Sequence, residues 1–170
     1  GAFRDDTLLS EYREEIIGKT QENSLEHKKC AGFLSAAAAA AADNRFLISS
    51  AVDMRKLKNF TAHLGQSVIA AGASGKGKVN RRFLSAVTPQ GEKTFYDTFE
   101  QLCEKIIVLE DAYGVCAPVM LRLLSNMAVR EGYSVIECPC AMRSAKVCEH
   151  LLIPELSLGF FTADRFHPYE

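Results

Sequence analysis

The chain has 170 residues, with 20 Lys and Arg against 21 Asp and Glu, and 48% of its residues are hydrophobic. This length predicts one domain or one and a half, with a sizeable buried core. The near-zero net charge gives no support for a nucleic-acid or membrane-surface partner. No apolar run approaches the roughly 20 residues that span a bilayer. The scattered cysteines and the lack of a signal-peptide pattern favour a reducing compartment, so we expect a cytoplasmic protein.

The first region, residues 1–72, is predicted to form a helical hairpin. Leu8, Tyr12 and Ile16 recur at helical spacing. A run of seven alanines at 36–42 favours a helix and allows another helix to approach closely.

Breakers and caps set the expected ends of the two helices. Asp43 and Asn44 are expected to end the first helix, because their side chains compete for backbone hydrogen bonds. The second helix is expected to begin near Asp53 and to end at a C-cap glycine, Gly72. Residues 73–80 (A-S-G-K-G-K-V-N) are rich in Gly and Lys and are predicted to be a linker.

The remaining residues, 81–170, have the pattern of an α/β domain. A strand, a loop, a helix and another strand follow one another, which predicts a βαβ unit with a right-handed crossover and therefore a parallel sheet. The predicted strands are 82–87, 105–109, 134–137 and 158–162, and the predicted helices are 95–103 and 118–130.

One glycine-rich segment matches part of the phosphate-loop (P-loop) pattern by letter only. Residues 72–78 have the spacing G-x-x-x-x-G-K. A P-loop follows a strand and opens a helix, so that helix N-terminal amides face the phosphate, whereas this segment follows a helix and precedes a strand. We interpret it as a linker. An ATPase or nucleotide-binding protein that holds the phosphates of ATP in an altered way, with Lys76, Lys78, Arg81 or Arg82, stays open as an alternative.

The correct context for a P-loop occurs after the predicted strand 105–109, where a loop leads into a helix. The glycine in the middle of this loop, Gly114, is retained. Four positions of the pattern G-x-x-x-x-G-K-[ST] are substituted: Asp111 replaces the first glycine, Cys116 the second glycine, Ala117 the lysine and Pro118 the hydroxyl residue.

Three segments around this loop occur in an order that a known family shares. They are F-L-S-A-V-T-P-Q-G at 83–91, E-C-P at 137–139 and I-P-E-L at 153–156. With them the chain resembles the tandem-repeat ATPases whose two halves are each a P-loop NTPase domain. The resemblance implies a P-loop NTPase-like parallel sheet, incomplete in this chain, after the helical hairpin. It also implies ATP and magnesium as ligands, and a homodimer or another copy of the half-domain as partner.

The substitutions each remove a contribution to nucleotide binding. Asp111 brings negative charge toward a polyanion, and Ala117 lacks the cation that neutralises the phosphates. Pro118 lacks a backbone donor and the hydroxyl that binds magnesium. Cys116 adds a side chain where bare backbone approaches phosphate. We therefore expect a degenerate domain with no catalytic residue and no cofactor of its own, which serves as a scaffold, a regulator or a self-association module.

Two further expectations concern the surroundings of the loop. Tyr113 is expected to fill the vacated phosphate site. The position that holds the Walker-B aspartate in the family falls at Thr162, with Asp164 two residues beyond.

The cysteines suggest two other sites. Cys138, Cys140, Cys148 and His150 carry side chains that ligate zinc, so a small zinc-binding module stays open as an alternative. Their spacing, C-x-C-x7-C-x-H, is not a usual zinc pattern, and buried structural cysteines are the favoured interpretation. Cys116 precedes a predicted helix N-terminus, which would lower the pKa of its thiol and make it reactive. Packing of a small side chain is the simpler interpretation.

Overall fold

A computed structural model describes residues 5–72, 75–142, 147–164 and 168–169. The protein is of the α/β class, and none of the described helices is long and apolar enough to cross a membrane. The chain divides into two compact units, residues 1–37 and 38–170. The helices are α1 (Asp6–Glu11), α2 (Arg13–Ser49), α3 (Met54–Val68), α4 (Tyr96–Leu102) and α5 (Ala117–Arg130), with a 3-10 turn at Pro154–Leu156. The strands are β1 (Val79–Arg81), β2 (Ser85–Thr88), β3 (Gly91–Thr94), β4 (Lys105–Glu110), β5 (Val135–Pro139), β6 (Cys148–Ile153) and β7 (Leu158–Ala163).

The helix α2 is longer than its sequence predicts. It continues through Asp43 and Asn44, so the expected break there is wrong. Both residues are exposed, which leaves their side chains solvated, and the preceding alanines strongly favour helix. No residue of α1 or α2 is buried.

The start of α3 is confirmed and its end is corrected. Asp53 caps it, because its Oδ1 accepts the backbone N–H groups of Arg55 and Lys56 at 3.0 Å each. The helix ends before Ile69 and does not reach Gly72. Its apolar face packs against α5.

The main sheet of the second unit is mixed. It has five strands in the order β1-β5-β6-β7-β4. The pairs β1–β5 and β4–β7 are parallel, but β6 runs antiparallel to both β5 and β7, so the expected parallel sheet is found only in part. None of the predicted strands corresponds to β6. Residues 140–147 connect β5 to β6, and a connection of this length suits antiparallel strands, because parallel strands need a crossover of a dozen or more residues.

Two other predicted segments change their roles. The end of the predicted linker, 73–80, forms part of β1, while residues 73–74 lie outside the described ranges. The strand predicted at 82–87 is displaced to β2, which pairs with β3 as a separate two-stranded hairpin. In contrast, α4, α5, β4, β5 and β7 lie where the sequence predicts them.

The core lies on both faces of the sheet. On one face, α5 buries Leu121 and Leu124 completely. On the other face, Phe99 of α4 packs against Phe161 with the ring centroids 5.5 Å apart. Burial of each such side chain contributes about 1.5–3 kcal/mol. These two layers fix the ends of β4 and α5, and with them the loop between the two elements.

Candidate functional site

The loop between β4 and α5 has the position of a P-loop, at the carboxyl end of a strand and the start of a helix. Gly114 adopts a φ of 65°, a left-handed conformation that glycine takes without steric cost. Its N–H donates to the Asp111 carbonyl at 3.0 Å, which closes the turn. Pro118 lies in the first turn of α5, where a proline is tolerated because the missing N–H has no intrahelical partner. Backbone geometry alone thus explains why Gly114 and Pro118 fit their positions in the loop.

An anion does lie at the N-terminus of α5, and it belongs to the chain itself. Oδ2 of Asp111 accepts the backbone N–H of Cys116 at 2.8 Å and that of Ala117 at 2.7 Å. Helix N-terminal amides and the helix dipole favour negative charge, and hydrogen bonds to a carboxylate are shorter and stronger than neutral ones. The amides that the P-loop context would direct at a phosphate therefore bind a carboxylate.

The space around this carboxylate is small on the helix side. A cavity of about 10 Å³ is lined by residues that include Asp111, Pro118, Thr162 and Asp164. That volume is close to the minimum for a single water molecule, whereas ligand pockets run to roughly 300–1,000 Å³. Thr162 and Asp164, the two positions considered for a Walker-B carboxylate, do lie beside the loop, because Thr162 of β7 pairs with Leu109 of β4.

A larger cavity of about 480 Å³ opens at the end of β4 and β7. Three carboxylates line it, those of Glu110, Asp111 and Asp164, and the described lining residues include no Lys or Arg. Concentrated negative charge disfavours a polyanionic ligand. Among the residues that the structure describes, this cavity therefore has the volume of a ligand pocket but a lining that does not favour phosphate.

The remaining loop residues do not act as expected from the sequence. Tyr113 is 64% exposed and so does not fill the space at the N-terminus of α5 as expected, where the carboxylate of Asp111 accepts hydrogen bonds instead. The pKa of the Cys116 thiol is raised rather than lowered, first by burial and then by the Asp111 charge. The helix N-terminus would lower this pKa, but the carboxylate of Asp111 already compensates it.

Among the described residues, no three of the four candidate zinc ligands place their ligand atoms within 4.8 Å of one another. Burial raises the pKa of Cys138 and of Cys148 to about 12, so both thiols keep their protons at neutral pH. Nδ1 of His150 accepts the Thr162 N–H at 3.2 Å, and its ring stacks on Phe161 at a centroid distance of 4.1 Å. These contacts give the histidine a packing role.

Cys140 has different neighbours. Its Sγ and the carboxylates of Glu92 and Glu149 lie within 4.8 Å of one another in the described part of the chain. Glu92 belongs to β3, far from the other two in sequence, so the sequence carried no signal for this grouping. No hydrogen bond within the described ranges reaches Oε1 of Glu92, which is buried.

The basic residues considered for an altered phosphate site lie at the other edge of the sheet. Arg81 is in β1, the strand farthest from β4 in the sheet order, and its Nε lies 3.3 Å from Oε2 of Glu137. The glycines of this segment have a packing reason: a Cβ at Gly72 or Gly77 would overlap backbone atoms of the turn between α5 and β5. In this segment the backbone at Gly72 and Gly77 therefore lies close to the turn between α5 and β5, and the edge strand β1 follows.

Comparison with known proteins adds no assignment. No family model, curated protein or solved structure matches this chain.

Proposed function

We propose that the second unit is a degenerate P-loop NTPase-like domain that neither binds nor hydrolyses nucleotide at its loop and that acts as a scaffold, a regulator or a self-association module. The observation that carries this proposal is the pair of hydrogen bonds from Cys116 and Ala117 to the Asp111 carboxylate. A phosphate at this place must displace a covalently attached anion, which is present at a high effective concentration.

The charge around the loop supports the same function. A P-loop supplies a lysine for the β- and γ-phosphates and a hydroxyl for magnesium. In this loop Ala117 and Pro118 stand at those positions, and the neighbouring cavity adds the carboxylates of Glu110 and Asp164. Each difference disfavours a nucleotide triphosphate, and none introduces a catalytic group.

The test is a calorimetric titration of magnesium-ATP into the full chain, with Asp111→Ala and Glu110→Ala as a matched pair. Both variants remove one carboxylate from the same cavity, but only Asp111 contacts the α5 amides. We expect no saturable heat from the unaltered protein up to millimolar ATP. Loss of Asp111 is expected to cost about 0.5–2 kcal/mol of stability, as the loss of a helix N-cap does.

Inorganic phosphate then distinguishes the role of the carboxylate. In Asp111→Ala the freed amides become an anion site, so tens of millimolar phosphate should raise the melting temperature of that variant more than that of Glu110→Ala or the unaltered chain. Saturable ATP binding by the unaltered protein would contradict the proposal. An equal response of all three proteins to phosphate would show that Asp111 does not occupy an anion site.

A further inference from the structure

The strand that leads into the loop, β4, lies at an edge of the main sheet. It pairs with β7 only, among the strands of the described residues. The backbone N–H groups of Lys105 and Asp111 donate toward β7 at 3.0 Å each. Because N–H and C=O groups alternate in direction along a strand, those of Ile106, Val108 and Glu110 point away from β7. The outer side of β4 therefore presents a row of backbone donors and acceptors.

The strand β4 itself carries none of three features that protect many edge strands. Proteins blunt exposed edges with proline, bulges, or charges in the middle of the strand. The sequence of β4 is K-I-I-V-L-E, with its charges only at the two ends, and its pairing with β7 is regular. Val108, at the centre of the outward-facing residues, is 39% exposed. The edge is thus apolar in the middle and suited to the addition of a strand.

We propose that a second copy of this chain adds its own β4 antiparallel to this edge, so that two sheets join across a two-fold axis. The inference deepens the proposed function, since it rests on the self-association role and names the surface that performs it. A two-fold interface requires a patch that is complementary to itself. The outward-facing residues meet this requirement because they are symmetric about Val108.

The backbone fixes the register of this pairing. In an antiparallel pair, two residues whose N–H and C=O groups face each other exchange both hydrogen bonds. Only the register that places Val108 opposite Val108 of the second copy also places Ile106 opposite Glu110, and Glu110 opposite Ile106. All three outward-facing residues then form hydrogen-bonded pairs. A shift by two residues in either direction leaves at least one of them without its partner in β4.

The charges select the antiparallel direction and a copy of the same chain. Lys105 stands at one end of β4, and Glu110, followed by Asp111, stands at the other. In the antiparallel register Lys105 lies opposite Asp111 of the second copy at both ends of the interface, whereas parallel pairing of two copies in register brings like charges together. Opposite charges across strands contribute roughly 0.2–1 kcal/mol per pair, and like charges cost similar amounts.

The first test is sedimentation equilibrium of the full chain, with Val108→Lys and Val87→Lys as a matched pair. Val87 is 46% exposed but lies in the separate β2–β3 hairpin. We expect a dimer whose dissociation constant rises at least tenfold in Val108→Lys, because two lysines then face each other at the two-fold axis. Val87→Lys should dimerise like the unaltered protein. Far-UV circular dichroism of each variant checks that the fold is kept.

The second test changes the residue that this register places opposite Glu110. Ile106→Glu and Ile106→Lys are a matched pair, because each puts one charge at the same half-buried position. Ile106→Glu places like charges opposite each other at both ends of the interface and should dimerise more weakly, whereas Ile106→Lys places a lysine opposite Glu110 and should form the tighter dimer of the two. Far-UV circular dichroism checks that both variants keep the fold.

The outcomes separate the inference from the proposed function. A monomer at all concentrations, or a dimer that survives Val108→Lys unchanged, would overturn the β4 interface and leave the result of the ATP titration untouched. A dimer that responds to these variants but binds ATP saturably would support the interface and contradict the nucleotide-free loop. An Ile106→Lys variant that dimerises no more tightly than Ile106→Glu would overturn the antiparallel register.

Discussion

The N-terminal helices and the sheet unit are stabilised by different means. Helix α2 extends over 37 residues without burying one of them, and Phe33 and Phe46 are each 78% exposed. In the sheet unit, Phe99, Phe160 and Phe161 are completely buried. An isolated helix depends on propensity, caps and neighbouring side-chain pairs, whereas a strand depends on cross-strand pairing and packing. A phenylalanine therefore contributes much to stability in the sheet unit and little in α2.

This difference explains where the sequence could be interpreted safely. The helical region contains strong local signals, such as the alanine run at 36–42. The helix continues past the predicted breakers Asp43 and Asn44 because the preceding alanines favour helix strongly. The sheet unit contains short apolar runs whose partners are distant in the chain. Their existence was predictable, but their pairing was not.

The largest difference in stability between the two regions is expected from replacing their phenylalanines. Phe160→Ala removes a fully buried ring from β7 and should lower the free energy of unfolding by about 3–5 kcal/mol. Phe33→Ala should change it by no more than about 0.5 kcal/mol, because the ring is already in solvent. Urea unfolding followed by tyrosine fluorescence measures both. Similar losses from the two variants would show that α2 packs as tightly as the sheet does.

Alkaline pH should destabilise the sheet unit through its buried thiols. Burial raises the pKa of Cys138 from 9.0 to about 12. Between these values the unfolded thiol has lost its proton and the folded one keeps it, so stability is full below pH 9 and falls as the pH rises. One thiol contributes a loss of about 1.4 kcal/mol per pH unit, or roughly 2 kcal/mol by pH 10.5.

The matched variants for this effect are Cys138→Ala and Cys30→Ala, at a buried and an exposed cysteine. Urea unfolding at pH 8, 9, 10 and 10.5 gives the slope of stability against pH for each. Only Cys138→Ala should have a shallower slope than the unaltered chain. If the slopes of all three proteins agree, the buried thiol does not carry the alkaline loss.

A smaller effect is expected from two glycines, and its sign should differ between the regions. A Cβ at Gly159 of β7 would lie 2.5 Å from Cζ of the buried Phe99, so Gly159→Ala should cost about 1–3 kcal/mol. Nothing lies within 4 Å of a Cβ at Gly32 of α2, so Gly32→Ala should stabilise that helix by about 0.5–1 kcal/mol. Far-UV circular dichroism during thermal unfolding follows both, and a destabilised Gly32→Ala would contradict a solvent-exposed α2.

For the candidate site, the sequence located the loop but not its occupant. The apolar run of β4, the turn glycine Gly114 and the start of α5 all carry local signals. The sequence also placed Asp111 at the loop, and its charge counted only as a repulsion against phosphate. Its hydrogen bonds to Cys116 and Ala117 depend on how the turn folds back onto the helix, and local pattern does not give that geometry.

The sequence by itself determined the α/β class, the Asp53 N-cap and most of the elements, because helix propensity, apolar runs and cap residues act between near neighbours. Tertiary structure alone decided that β6 is antiparallel, that β4 lies at an edge, and that Cys140 meets Glu92 and Glu149. These outcomes depend on which strands pair across long stretches of chain. The free energy of such pairing comes from the packing of the whole sheet, and no short segment carries that information.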